Sequence, residues 1–316
     1  MPNEAIEGGQ AQARGISRRV IVRSLLRDKI TFLAITFSTL IVIVAVGAEF
    51  VAPYDPLFGN LRLRNMPPMT PGVEDNSFPY VLGTDPLGRD LLSRLIFGAR
   101  NSLMVGISGA LISGTVGSVL GMIAGYYRGR VDDLIMRLVD LMMSMPALLI
   151  ALFILFVIGP GFLNIILVLS LFAWAGFTRV SRGMTLAYRE TAFVDAARVI
   201  GCSNARIIFQ HLLPNMTSPF VILGTLEVGA IILAEASLSF LGFGIQPPHP
   251  SWGLMISEGR QYITSAWWLV TMPGVAIFLT ALSLNLLASS IRSLTDPVQR
   301  ERWLMLEPGP VPEAGR

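Results

Sequence analysis

Six stretches of this 316-residue chain are apolar for long enough to cross a lipid bilayer. The hydrocarbon core of a membrane is about 30 Å thick and takes about 20 residues of α-helix to span. With no water inside it, backbone amides and carbonyls must pair within the protein. The apolar runs are 30–52, 102–126, 141–158, 162–177, 217–243 and 267–291. They predict an all-α membrane protein with six transmembrane helices. Charged residues make up 14% of the chain, against about 25% in ordinary soluble domains, which agrees. A net charge of +3 gives no footing for nucleic acid, and the first 29 residues are polar and basic, unlike a signal peptide. Cys202 is the single cysteine, which excludes an internal disulfide and a cysteine-based metal cluster.

Basic residues set the orientation, because Lys and Arg concentrate in cytoplasmic segments. With the N-terminus inside, 18 of the 24 fall on the cytoplasmic side and six on the outer side: Arg62, Arg64, Arg89, Arg94, Arg100 and Arg260. Both termini are therefore expected in the cytoplasm. The chain then divides into a cytoplasmic tail (1–29), a first transmembrane helix (30–52) and an outer loop (53–101). A core of five transmembrane helices follows (102–291), interrupted by a long cytoplasmic loop (179–215), and a cytoplasmic tail closes the chain (292–316).

The outer loop ends in GTDPLGRDLLSRLIFGAR. Thr84 or Asp85 can cap a helix with Pro86 at its first position. Leu87, Leu91 and Leu95 then share a face, and Asp90 and Arg94 are spaced to pair. This predicts a short amphipathic helix, either lying on the membrane surface or packed on the protein.

In the second apolar run Gly106, Ala110 and Gly114 recur every four residues, as do Gly117, Gly121 and Gly125. That spacing lets two membrane helices approach backbone to backbone, within the chain or against a partner subunit. Glu227 and Glu235 fall inside the fifth run, where a charge costs about 2.5–3.5 kcal/mol on insertion scales. Each is expected either to line a translocation path or to hydrogen-bond a neighbouring helix. Asp140 is spaced to pair with Arg137. Pro146 and Pro273 are expected to kink their helices or free a carbonyl.

Enzymatic signatures are missing. A Walker nucleotide loop needs a lysine in GxxxxGK[ST], and the single lysine, Lys29, sits in LLRDKIT. His211 and His249 are too far apart for a zinc-binding HExxH, and there is no GxSxG elbow. Catalysis, a bound cofactor and a bound metal are not expected.

Between the fourth and fifth runs lies DAARVIGCSNARIIFQHLLPN, residues 195–215. A loop this long with its own helical pattern is usually functional. Residues 191–200 predict a helix on which Ala196 and Ala197 present a small, flat surface. Gly201 can take the left-handed conformation that ends it. Ser203 or Asn204 can cap a second helix, which carries Ile207, Ile208 and Leu212 as an apolar stripe and stops near Pro214. Two short helices with a glycine corner form a projecting knob suited to a groove on another protein.

This segment resembles the EAA loop of binding-protein-dependent ABC transporter permeases, whose pattern is EAA-x3-G-x9-I-x-LP. Asp195, Ala196, Ala197, Gly201, Leu213 and Pro214 stand in register with it, with Asp195 in place of the Glu and His211 in place of the Ile. LGTDPLGRDLLSR, AGYYRGRVDDLIMRLVD, MPALLIAL, AEASLSFLGFGIQPPHPSWGLMISEGR and WWLVTMPGVAIFLTALSLNLL resemble the C-type permease subunits of dipeptide, oligopeptide and nickel importers. The likeness covers about residues 80–297; one departure is ASSIRSLTDP, where that family often carries a Gly-Asp-x-Leu-Arg-Asp run.

The resemblance implies a type I ABC importer permease fold in a bacterial inner membrane. Residues 195–214 would be a coupling helix docked on an ATPase. The implied partners are a second, homologous permease, two ATPase subunits that use the ATP, and an extracytoplasmic binding protein. The implied cargo is a di- or oligopeptide, with nickel or another small solute as the alternative. Outside the resemblance, a stand-alone secondary transporter would need Glu227 and Glu235 as ion-coupling groups.

Overall fold

The computed structural model describes residues 28–72 and 78–295. The tails 1–29 and 292–316 lie outside the described residues except at their inner ends. Helix α1 (Lys29–Val46) starts at Asp28, whose carboxylate accepts from the amides of Ile30 and Thr31 at 3.2 and 3.3 Å. Then follow α2 (Leu91–Tyr127), α3 (Gly129–Ser144), α4 (Ala147–Ile158), α5 (Phe162–Arg189) and α6 (Ala192–Val199). The described residues end with α7 (Asn204–Phe240), α8 (Trp252–Gly259) and α9 (Trp268–Thr295). Among the described residues α1, α2, α5, α7 and α9 are long and apolar enough to cross a membrane, and the bent pair α3–α4 makes a sixth span if counted as one.

At about 1.5 Å per residue α2 is about 55 Å long, well beyond the hydrocarbon thickness. Its partner is α5, and the glycine stripe explains the fit. A Cβ on Gly117 would lie 2.4 Å from the Trp174 carbonyl oxygen, and one on Gly125 would lie 2.8 Å from that of Arg182. The Ser181 hydroxyl crosses the seam to the Ser118 carbonyl at 2.8 Å. Gly117, Gly121 and Gly125 thus pack against this chain's own helix.

The run 141–158 is not one straight span. Proline clashes with an α-helical residue before it. Met145 is accordingly extended, and α3 meets α4 at 89° across Met145–Pro146. Asp132 of α3 takes the Nε and Nη2 of Arg182 on α5, the latter at 2.6 Å, and Asp140 takes Arg179 at 2.6 Å. Asp140 therefore pairs across the interface and not with Arg137 on its own helix. Pro273 lies inside α9, which continues through it unbroken.

The amphipathic helix expected from Thr84 does not form. Residues 84–90 are a loop, and Asp90 caps α2 instead, its carboxylate accepting from the Ser93 amide at 2.7 Å. Gly88 forces the loop: at φ +72° its missing Cβ would overlap the Asn60 carbonyl at 1.9 Å. Asp85 accepts from the amides of Leu87 and Arg89 at 2.8 and 2.9 Å, which holds the turn. Arg94 does not pair with Asp90. It reaches Asp85 at 2.9 Å and Glu258 of α8 at 2.8 Å, and Arg89 joins the same two carboxylates. Burial pushes the Glu258 carboxyl above the ordinary range, and Arg89 beside it pulls it back.

Candidate functional site

The end of the molecule opposite this charged cluster carries the 191–214 hairpin. Thr191 turns the chain out of α5, its hydroxyl donating to the Tyr188 carbonyl at 2.5 Å. Helix α6 closes on Gly201 with two crossing bonds: Cys202 N–H to the Ala197 carbonyl and Gly201 N–H to that of Arg198, each 3.0 Å. That pattern is a Schellman stop, which needs a left-handed residue at the corner, and Gly201 has φ +85°. A Cβ there would meet no atom within 4 Å, so the glycine is required by conformation and not by space. The Ser203 hydroxyl then caps α7 by accepting from the Arg206 amide at 3.4 Å.

The second helix does not stop at Pro214. Residues Ile207–Leu212 form a π-turn, with Leu213 N–H bonded to the Ile208 carbonyl. The wider turn brings Pro214, which has no N–H, into the first turn of the α-helical part of α7, where proline is tolerated. The Asn215 side-chain amide takes the His211 carbonyl at 2.6 Å. The hairpin is thereby continuous with a membrane-spanning helix.

The motif residues face two ways. Asp195 and Ala196 are exposed, whereas Ala197 is buried; successive helical positions point about 100° apart, so the pair does not make one flat face. Ile207, Ile208 and Leu212 are likewise buried, packed with Val194, Ala197, Met122, Tyr126 and Met216. The stripe expected to meet a partner is therefore the hairpin's own core. His211 and Leu213 are half-buried and Pro214 is exposed. The most exposed apolar side chains of the hairpin are at the corner, Val199 and Ile200 at 88% and 81%, with Phe193 at the start of α6 and Phe209 on α7 exposed to a lesser degree. Sequence reasoning passed over Val199 and Ile200; their position at the end of α6, next to the glycine corner, was the available signal.

The two acidic residues of α7 differ. Glu235 is fully buried and accepts from the hydroxyls of Ser102 on α2 at 3.0 Å and Ser239 at 2.6 Å. Glu227 is half-buried, and its carboxylate has no hydrogen-bond or ion-pair partner among the described residues. Neither lines the apolar cavity of about 830 Å³ between α1, α2, α7 and α9, whose walls include Ile107, Gly114, Val221, Thr225 and Leu284. Among the described residues no three His, Cys, Asp or Glu side chains gather as metal ligands would.

Comparison with known proteins bears on this geometry. Residues 117–300 match the family described as binding-protein-dependent transport system inner membrane component. The chain is 41% identical over 261 residues to the di/tripeptide transport system permease protein DppC of Pseudomonas aeruginosa, covering 83% of this chain and 86% of that one. It is 36% identical to the glutathione transport system permease protein GsiD of Pectobacterium atrosepticum, covering 87% and 89%. In fold it is similar to a chain of the MetNI methionine ABC transporter in an inward-facing form. The TM-score is 0.54 at 16% identity, over 65% of this chain and 98% of that one.

Proposed function

Because the chain belongs to the binding-protein-dependent transport system inner membrane components, we propose that it passes peptides across the membrane as one permease of an ATP-driven importer. It is a multi-pass inner-membrane permease, and the finer reading concerns what it meets on each side. The hairpin end lies in the cytoplasm, as the distribution of Arg residues supports, and the charged cluster around Glu258 lies outside. A second, homologous permease completes the path. Two ATPase subunits bind the cytoplasmic ends, and an external binding protein delivers the cargo. This chain holds no nucleotide; ATP is used by its partners.

The observation that carries the reading is the hairpin. It is stopped rigidly at Gly201, continuous with α7, and bears exposed Val199 and Ile200 at its corner. An apolar corner at a polar end of a membrane protein calls for a partner surface. Asp195, Ala196 and Gly201 form the docking element, with His211, Leu213 and Pro214 as its root on α7. Peptides are the cargo class favoured by the names of the di/tripeptide and glutathione permeases.

Two measurements test this. Purification of the tagged chain from native membranes in mild detergent is expected to bring down a second permease and a Walker-motif ATPase; the chain alone, or only copies of it, would refute the reading. Gly201→Pro is expected to insert in the membrane normally yet abolish uptake, since proline can neither adopt φ +85° nor donate to Arg198. Uptake that survives it would remove the coupling role.

A further inference from the structure

The apolar cluster beneath the hairpin packs it against the cytoplasmic ends of α2, α5 and α7. One side chain in it makes polar or cation contacts to three helices at once. Tyr126, the penultimate residue of α2, is 6% exposed. The guanidinium of Arg189, the last residue of α5, lies 5.8 Å from its ring centroid, and that of Arg198 on α6 lies at the same distance. Its hydroxyl donates to the side-chain oxygen of Asn204, the first residue of α7, at 2.9 Å. One phenol ring therefore touches all three elements that enter or form the hairpin.

The two cations use the ring differently. Arg189 Nη1 is buried with no hydrogen-bond partner, so the aromatic face is what offsets its loss of water. Arg198 is oriented from the other side by Asp195, the acid of the docking motif, at 2.8 Å. A line of contact thus runs from exposed Asp195 through Arg198 to Tyr126 and into α2. Beside it Arg128 pairs with Glu190, adding a second, exposed tie between the same helix ends. Helix α2 is in turn locked to α5 by its glycines.

We propose that Tyr126 is the positioning residue through which displacement of the docking hairpin is delivered to α2. Without that ring the hairpin keeps its apolar packing and its chain connections to α5 and α7 but loses the hydroxyl and cation contacts that tie Asn204 and Arg198 to the end of α2. This rests on the reading of the hairpin as the ATPase-docking element.

The test uses the assembled importer, purified through a tag on this chain and reconstituted in vesicles with its binding protein. ATP hydrolysis and uptake are measured together, with labelled di- and tripeptides and glutathione as probes. Tyr126→Leu is expected to leave ATPase co-purification unchanged while peptide imported per ATP hydrolysed falls by about tenfold, the loss of two cation–π contacts and a hydrogen bond. Tyr126→Phe, which keeps the ring, is expected to recover most of the ratio. Arg198→Gln, on the exposed surface, is expected to lower it two- to threefold, and the Tyr126→Leu/Arg198→Gln pair to be no worse than Tyr126→Leu alone, as members of one network behave.

A merely structural role would lower protein yield, hydrolysis and uptake together and leave the ratio unmoved; that result overturns the proposal. Should Tyr126→Leu fail to accumulate, Arg198→Gln decides by the same ratio. Gly201→Pro is run alongside to separate the two ideas. If it leaves the ratio unchanged, the docking reading itself falls. If it uncouples while both Tyr126→Leu and Arg198→Gln leave the ratio intact, only the role of Tyr126 falls.

Discussion

A Cβ atom on Gly121 would lie 2.4 Å from the carbonyl oxygen of Thr178. Backbone stands on the far side of that contact, so nothing flexible can give way, and α2 and α5 would have to separate. Overpacking a tight seam costs about 1–3 kcal/mol and occasionally more. Gly121→Val is expected to lower the temperature at which the detergent-solubilised protein loses its monodisperse elution peak. Gly183→Ala, with no atom within 4 Å of the added carbon and alanine the better helix former, is expected not to lower it. Equal effects would mean that the seam does not carry the fold.

Arg94 is held between Asp85 and Glu258 with its side chain 1% exposed. Removing one member of a buried ion pair leaves its partners uncompensated, at a cost of about 3–5 kcal/mol. Arg100 pairs with Glu49 in the open, with side chains 40% and 67% exposed, where such a pair contributes about 0–1 kcal/mol. Arg94→Met is therefore expected to destabilise the solubilised protein strongly and Arg100→Met hardly at all, read by thermal unfolding of the two variants side by side.

The same residue shows where sequence reading reaches its end. Spans and the glycine stripe were legible because hydropathy and four-residue spacing act locally along a helix. The pairing of Asp90 with Arg94 rested on spacing too, but it lost to Glu258, a partner 164 residues distant in sequence. Asp140 left Arg137 for Arg179 for the same reason. Pro146, expected to kink its helix or free a carbonyl, breaks it by 89°, and Pro214, expected to end a helix, is carried past by a π-turn. Proline marks the place of a disturbance, but the size of the disturbance depends on what the neighbouring elements will accept. In the hairpin the motif was visible, but which of its residues face outward was not. That depends on how α6 lies against Met122 and Tyr126.

Glu235 lies wholly inside the protein between the hydroxyls of Ser102 and Ser239. A glutamine there preserves an acceptor for Ser102 and the shape of the side chain, whereas leucine removes the acceptor of two buried hydroxyl donors, a loss of about 1–3 kcal/mol for a group left unsatisfied. Glu235→Gln is expected to keep at least half of wild-type uptake, and Glu235→Leu to lose folded protein. If Glu235→Gln abolished uptake with the protein intact, its carboxylate would be acting on the cargo or a coupled ion and not as a tie between α2 and α7.

Ile200 stands next to the Gly201 corner with 81% of its surface exposed. Its backbone N–H is bonded to the Ala196 carbonyl at 3.1 Å, so a polar side chain would leave the stop intact. The few hot-spot residues at the centre of an interface contribute about 2 kcal/mol or more to binding, roughly a thirtyfold change in affinity. Ile200→Asn is thus expected to leave the thermal stability of the isolated chain unchanged while ATPase subunits are lost during purification at moderate salt. Val199→Asn, at 88% exposure, is expected to act in the same direction. Variants that retained the ATPase at wild-type levels would place the docking surface elsewhere, on the outward side of Asp195 and Ala196.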